Sequence, residues 1–198
     1  MLYAEKKLTR RAYATVLRQM NRTAVAESSE GPVFLGYRLG HIKRDTAVFR
    51  SVVYNKAAMV LHMLRRLIGD EAFFAGMKQF YDQWEFKKAG TGDFQRAMEA
   101  ASGADLTRFF ETWIFGQDIP TVSFAHRVED GHVVLRFEQK GEPTDVPVGV
   151  TLTDGTGAAT DVIVKLTGRV TEQRVPWPGR LRSASPNADH GALVRIVR

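Results

Sequence analysis

The chain has 198 residues, enough for one large domain or two small ones, and its 44% hydrophobic and 25% charged residues are the balance of a protein that buries a core. The absence of cysteine excludes disulfides, CxxC zinc sites and thiol nucleophiles. Net charge is +6, but the 28 basic residues are scattered in short pairs such as Lys6-Lys7 and Arg65-Arg66, the pattern of solvated faces rather than of a nucleic-acid surface. No apolar run approaches the roughly 18 residues of a membrane span, so no membrane partner is expected. The first residues lack the apolar stretch of an export signal, and the compartment stays open.

Thr9 is placed to cap a helix running to about Glu27, whose Tyr13, Val16, Leu17, Met20 and Ala24 recur at helical spacing and form one apolar face. Ser28-Ser29-Glu30-Gly31-Pro32 breaks it, and Val33 to Thr46 reads as irregular. A long helix follows from about Phe49 to Ile68, with Val53, Ala57, Val60, Leu61, Leu64, Leu67 and Ile68 as its stripe and Gly69 as its stop. Asp70 starts the next, Glu71 to about Trp84, with Phe73, Phe74, Met77, Phe80 and Tyr81 turned inward. Helices over about Gly92 to Ala101 and Leu106 to Phe115, the latter capped by Asp105, complete a bundle over residues 1–118.

Residues 119–198 change character. Thr121–Val128, His132–Gln139, Val146–Thr153, Asp161–Leu166 and Leu193–Val197 are short, rich in β-branched residues and often alternating. Asp130-Gly131, Lys140-Gly141-Glu142-Pro143 and Asp154-Gly155 separate them, and Asp130-Gly131 suits a tight hairpin. The expectation is an antiparallel β-sandwich of six or seven strands, hence an α+β chain of two domains, helical over 1–118 and sandwich over 119–198.

Catalytic motifs are sparse. Of the histidines at 41, 62, 126, 132 and 190, none lies in HExxH, which sets two imidazoles one helical turn apart so that both reach one metal. His62 has Ala58 and Arg66 at that spacing and reads as a helix flank residue, so no metal ligand is assigned in this chain. GxSxG, Walker and GxGxxG patterns are absent, and Asp70-Glu71 fits charge at a helix start better than an acid/base pair. Tyr54 falls about 80° from the centre of the apolar stripe at 100° per residue, a flank position from which a ring packs and a hydroxyl reaches a cleft.

From Tyr54 to Pro120 the chain resembles the M1 family of zinc aminopeptidases, gluzincins of the aminopeptidase N type. The resemblance rests on Val53-Tyr54-Asn55-Lys56-Ala57-Ala58, Leu61-His62-Met63-Leu64-Arg65, Ile68-Gly69-Asp70-Glu71-Ala72-Phe73-Phe74, Thr91-Gly92-Asp93-Phe94, Asp105-Leu106, Phe109-Phe110, Trp113 and Ile119-Pro120. Gly31-Pro32 and Arg38-Leu39-Gly40 match more loosely. The resemblance implies that Tyr54 is the catalytic tyrosine of a Tyr-x-Lys-Gly-Ala signature, donating a hydrogen bond to the oxyanion formed at the peptide carbonyl. Ala57 stands where that signature has glycine.

HExxH, the downstream glutamate ligand and the Gly-x-Met-x-Asn loop all precede the tyrosine in the family and do not occur here. Glu5 lies in the wrong context to be that glutamate. The resemblance therefore implies a C-terminal fragment of a zinc-dependent aminopeptidase that removes N-terminal residues from peptides, inactive by itself, with zinc held by a missing N-terminal half that is its partner. A stand-alone, non-catalytic helical and sandwich interaction module is the alternative. Either reading predicts self-association through an exposed face.

Overall fold

The computed structural model describes residues 2–34, 36 and 45–197; Arg38-Leu39-Gly40 and His41 lie outside them. Helix α1 is Leu2–Lys7 and α2 is Arg10–Ala26. Thr9 caps α2, its Oγ1 accepting from the Ala12 amide at 3.3 Å, and Leu17 and Ala24 are buried on the face the spacing predicts.

The long helix is a composite. Thr46–Phe49 (α3) leads into a π turn over Arg50–Lys56, which continues without a break into Ala57–Ile68 (α4). A π turn holds more residues per revolution than an α turn, so a stripe counted at a regular helical period loses register across it. Ser51, Val52, Lys56, Met59, Val60, Met63 and Leu64 are buried, whereas Leu61, expected inward, is exposed.

Gly69, at φ 91°, ends α4 and precedes α5, Asp70–Trp84. Here the inward set is narrower than expected: Phe73 and Gly76 are buried, while Phe74, Met77 and Tyr81 are exposed. Gly76 decides this, because a Cβ there would sit 2.8 Å from Met98 Sδ. It lets α5 close onto α6, Thr91–Ser102, along a line that leaves the flanking aromatics outside. The chain then forms α7, Thr107–Phe110, and a second π turn, Glu111–Phe115, with Leu106, Phe109, Phe110 and Trp113 sealed inside.

Among the described residues seven strands follow: β1 Thr121–Glu129, β2 His132–Lys140, β3 Val146–Asp154, β4 Ala159–Leu166, β5 Val170–Pro176, β6 Leu181–Pro186 and β7 Arg195–Val197. They make a four-stranded sheet, β5-β2-β1-β7, and a three-stranded sheet, β4-β3-β6. Asp130 and Gly131, at φ 47° and 70°, form the β1–β2 hairpin, with Glu129 paired to His132. All pairings are antiparallel except β7, which runs parallel to β1. The sequence pattern does not announce β5 and β6. β5 alternates between exposed and half-buried at an edge, and Leu-Arg-Ser-Ala-Ser-Pro in β6 has little β propensity.

The sandwich interior (Val122, Val133, Leu135 and Phe137 with Val148, Val150, Leu152 and Val164) joins the helical core (Met59, Met63, Phe109 and Trp113) in one continuous apolar cluster. Strand β3 is buried from Val146 to Val150 because α4 packs on it. The Trp113 indole donates to the Asp145 carbonyl at 2.8 Å, and Arg108 pairs with the Asp145 carboxylate. Residues 187–193 complete the seam. Asn21 Nδ2 donates to the His190 and Ala192 carbonyls at 3.1 and 2.8 Å, and Arg66 of α4 pairs with Asp189.

Candidate functional site

Tyr54 lies in the π turn on the side away from the buried stripe, and the residue is 61% exposed. Its ring neighbour is Phe49, edge-on with centroids 5.8 Å apart. The spacing placed Tyr54 on a flank; the π turn carries it to the surface. A phenol held at an open face is geometrically free to donate to a group approaching from outside.

Two residues on, Lys56 points the other way and is 1% exposed. Its Nζ donates to the Gly31 carbonyl at 3.3 Å, and burial pushes the ammonium down to about 8, with the charge of Asp118 acting in the opposite direction. Sequence reasoning missed this residue. The usable signal was its place among the apolar positions Val52, Met59, Val60 and Met63, which a lysine rarely shares. Gly31 belongs to a connection fixed at both ends: Ser28 Oγ donates to the Gln117 carbonyl, and the Phe34 amide donates to the Ile114 carbonyl at 2.9 Å. The Phe34 and Phe115 rings meet edge-on at 5.2 Å.

His62 occupies a different place, the seam between α2, α4 and the sandwich. A cavity of about 500 Å³ lies there, walled by Tyr13, His62, Arg65 and Arg66 on the helical side and by Asp161 and Asp189 on the other. Arg65 forks onto Asp70 at 2.8 and 2.6 Å and reaches Glu5 at 2.5 Å. Burial, reinforced by the charge of Arg66, pushes His62 down to about 4, so its imidazole is neutral near pH 7. The other described histidines have local roles: His126 stacks on Phe124, His132 Nδ1 lies 2.8 Å from the Asp130 carbonyl, and Arg18 donates to His190 Nε2 at 3.1 Å.

Zinc, which the resemblance implies, finds no cradle among the described residues: no group of three or more His, Cys, Asp or Glu is placed to hold a metal ion. Glu5, the acid nearest the start of the chain, is engaged by Arg65. No helix among the described residues is long and apolar enough to cross a membrane.

Comparison with known proteins bears on this arrangement. Aminopeptidase N of Lactococcus lactis subsp. lactis is 29% identical over 130 residues, covering 62% of this chain and 15% of that protein. Glutamyl aminopeptidase of Bitis rhinoceros is 40% identical over 68 residues, covering 34% of this chain and 7% of that protein. The chain thus spans only a small part of the length of these relatives. The crystal structure of Legionella pneumophila aminopeptidase A in complex with aspartic acid shares the fold, with a TM-score of 0.66 at 21% identity over 77% of this chain and 18% of that one. Residues 3–113, more than half of the 198, match the Peptidase family M1 domain, and the chain belongs to that family.

Proposed function

We propose that this chain is the tyrosine-bearing part of a longer zinc-dependent aminopeptidase, with helical residues 1–118 contributing to the catalytic domain and 119–198 forming the sandwich domain beside it. The relatives named above are aminopeptidases, which supports hydrolysis of N-terminal residues from peptides as the reaction of the whole protein. The observation that carries the reading is Tyr54, whose ring is exposed on a π turn rather than sealed in the bundle. In this role its hydroxyl donates a hydrogen bond to the oxygen of the scissile carbonyl as negative charge develops there. A neutral phenol aimed at that oxygen stabilises the transition state more than the ground state. The metal, and the group that activates water, would come from polypeptide other than the described residues, so the chain alone is expected to be inactive.

Two measurements test this. Calorimetry of the chain with zinc is expected to show no tight stoichiometric binding, and aminoacyl anilides are expected to stay uncleaved; tight binding with turnover would overturn the placement of the metal site elsewhere. In protein that carries the metal-binding segment, Tyr54→Phe is expected to lower kcat about 10²- to 10³-fold with little change in KM, the loss typical of one oxyanion donor. The exposed Phe74, Met77 and Tyr81 on α5 are the face through which the isolated chain would self-associate, and light scattering that finds a monomer at every concentration would remove that expectation.

A further inference from the structure

We propose that Lys56 is a positioning residue, whose ammonium, tied to the Gly31 carbonyl, locks the π turn Arg50–Lys56 in the form that presents Tyr54. The proposal rests on the reading of Tyr54 as an oxyanion donor and adds what holds that donor in place.

Stability does not account for a lysine here. Its side chain is as buried as those of Val52 and Val60, yet its bond to Gly31 is long, at 3.3 Å, and the acceptor is uncharged. An ammonium carries three donors and is costly to remove from water unless it is paired and fully hydrogen-bonded. Replacing such a group with an apolar side chain of similar length is often neutral or stabilising. The depressed protonation of Lys56 reflects the same cost. A position that methionine would fill at least as well therefore holds a residue that reaches further and binds at its tip.

What that tip binds is fixed. The Gly31 connection is anchored by Ser28 to Gln117 and by Phe34 to Ile114, so the carbonyl that Lys56 meets belongs to a rigid neighbour. What needs fixing is the π turn. It holds one residue more than an α turn, and relaxing to α geometry would swing side chains on one side of it by about 100° relative to those beyond. Lys56 is the last residue of the turn and Tyr54 lies two before it on the opposite side. Pinning Lys56 to Gly31 pins the register in which Tyr54 points outward and meets Phe49.

The test uses the whole 198-residue chain with ¹³C-labelled tyrosine rings, the Tyr54 signal being assigned by its loss in Tyr54→Phe. Lys56→Met is expected to keep the far-ultraviolet circular dichroism spectrum, the thermal midpoint and the Tyr13 and Tyr81 signals. The Tyr54 signal should shift and its nuclear Overhauser contact with Phe49 should disappear. Lys56→Arg, which keeps a long cationic donor, should restore that contact. A folded Lys56→Met chain with the Tyr54 signal and the Phe49 contact unchanged would overturn the proposal. Should Lys56→Met not fold, Gly31→Ala tests it from the acceptor side. Gly31 has φ 137°, which alanine rarely adopts, so the carbonyl must move and the Tyr54 signal must shift with it; an unmoved signal overturns the proposal equally. None of these readouts involves catalysis, so their failure is separable from failure of the oxyanion reading, which the kinetics of Tyr54→Phe decide.

Discussion

Gly191 shows how far a single position can depend on residues distant in the chain. A Cβ built on it would lie 1.9 Å from Arg66 Nη1 and 3.0 Å from Asp189 Oδ2, so the guanidinium rests on the bare backbone of the seam. Gly191→Ala must push Arg66 off Asp189 or move residues 187–193, which also hold Asn21. Overpacking of this kind costs about 1–3 kcal/mol, to be read as a lower urea midpoint. Gly179→Ala, with no atom within 4 Å of its Cβ, should stay within about 0.5 kcal/mol of the parent. Equal midpoints for the two variants would show that Arg66 is free to move aside. The family resemblance around Tyr54 was legible in the sequence because its motif is local and contiguous. Lys56, Arg66 and Asp189 were not, because what makes each matter lies 25 or 123 residues away along the chain.

Elements were legible where side-chain period and end signals agree. Helix α2 has both, a capping threonine and a regular apolar face; the β1–β2 hairpin has Asp-Gly between alternating strands. The π turns broke the helical count, and β5 and β6 are recognisable as strands chiefly through their partners. One device that holds the start of β5 in place is Gln139, near the end of β2 and 2% exposed. Its Nε2 donates to the Thr144 and Gly168 carbonyls at 2.8 and 3.1 Å, and its Oε1 accepts from the Thr144 amide and hydroxyl at 3.1 and 2.8 Å. One amide thus ties the β2–β3 connection to the β4–β5 connection. Gln139→Leu keeps the volume but takes the partner away from these half-buried groups and cuts the tie, at a cost of about 1–3 kcal/mol. Equilibrium denaturation measures it, and a loss under about 0.5 kcal/mol would mean the two connections are held by other contacts.

At the scale of the molecule, helices and sandwich share one core, and the seam between them contains ionisable groups whose protonation is linked to folding. His62 faces Tyr13 from α2, Arg65 and Arg66 from its own helix, Glu5 from α1 and Asp189 from the sandwich side, and it is held down to about 4 from an ordinary 6.5. Between those two values the unfolded chain binds a proton that the folded chain refuses, so the contribution of His62 is full above 6.5 and falls as the pH drops toward 4. The loss is on the order of 3 kcal/mol, the free-energy equivalent of the shift. His190, also lowered by burial and by Arg18, adds to the slope in the same direction. The lowered carboxylates Asp70 and Asp189 lose their contribution only below their ordinary value of 3.8, outside this window. Urea unfolding at intervals from pH 7 to pH 4 should therefore trace a decline that His62→Gln largely flattens and that a second substitution at His190 flattens further. If His62→Gln keeps the whole slope, the proton is being taken up elsewhere, and the seam is not what makes the fold sensitive to acid.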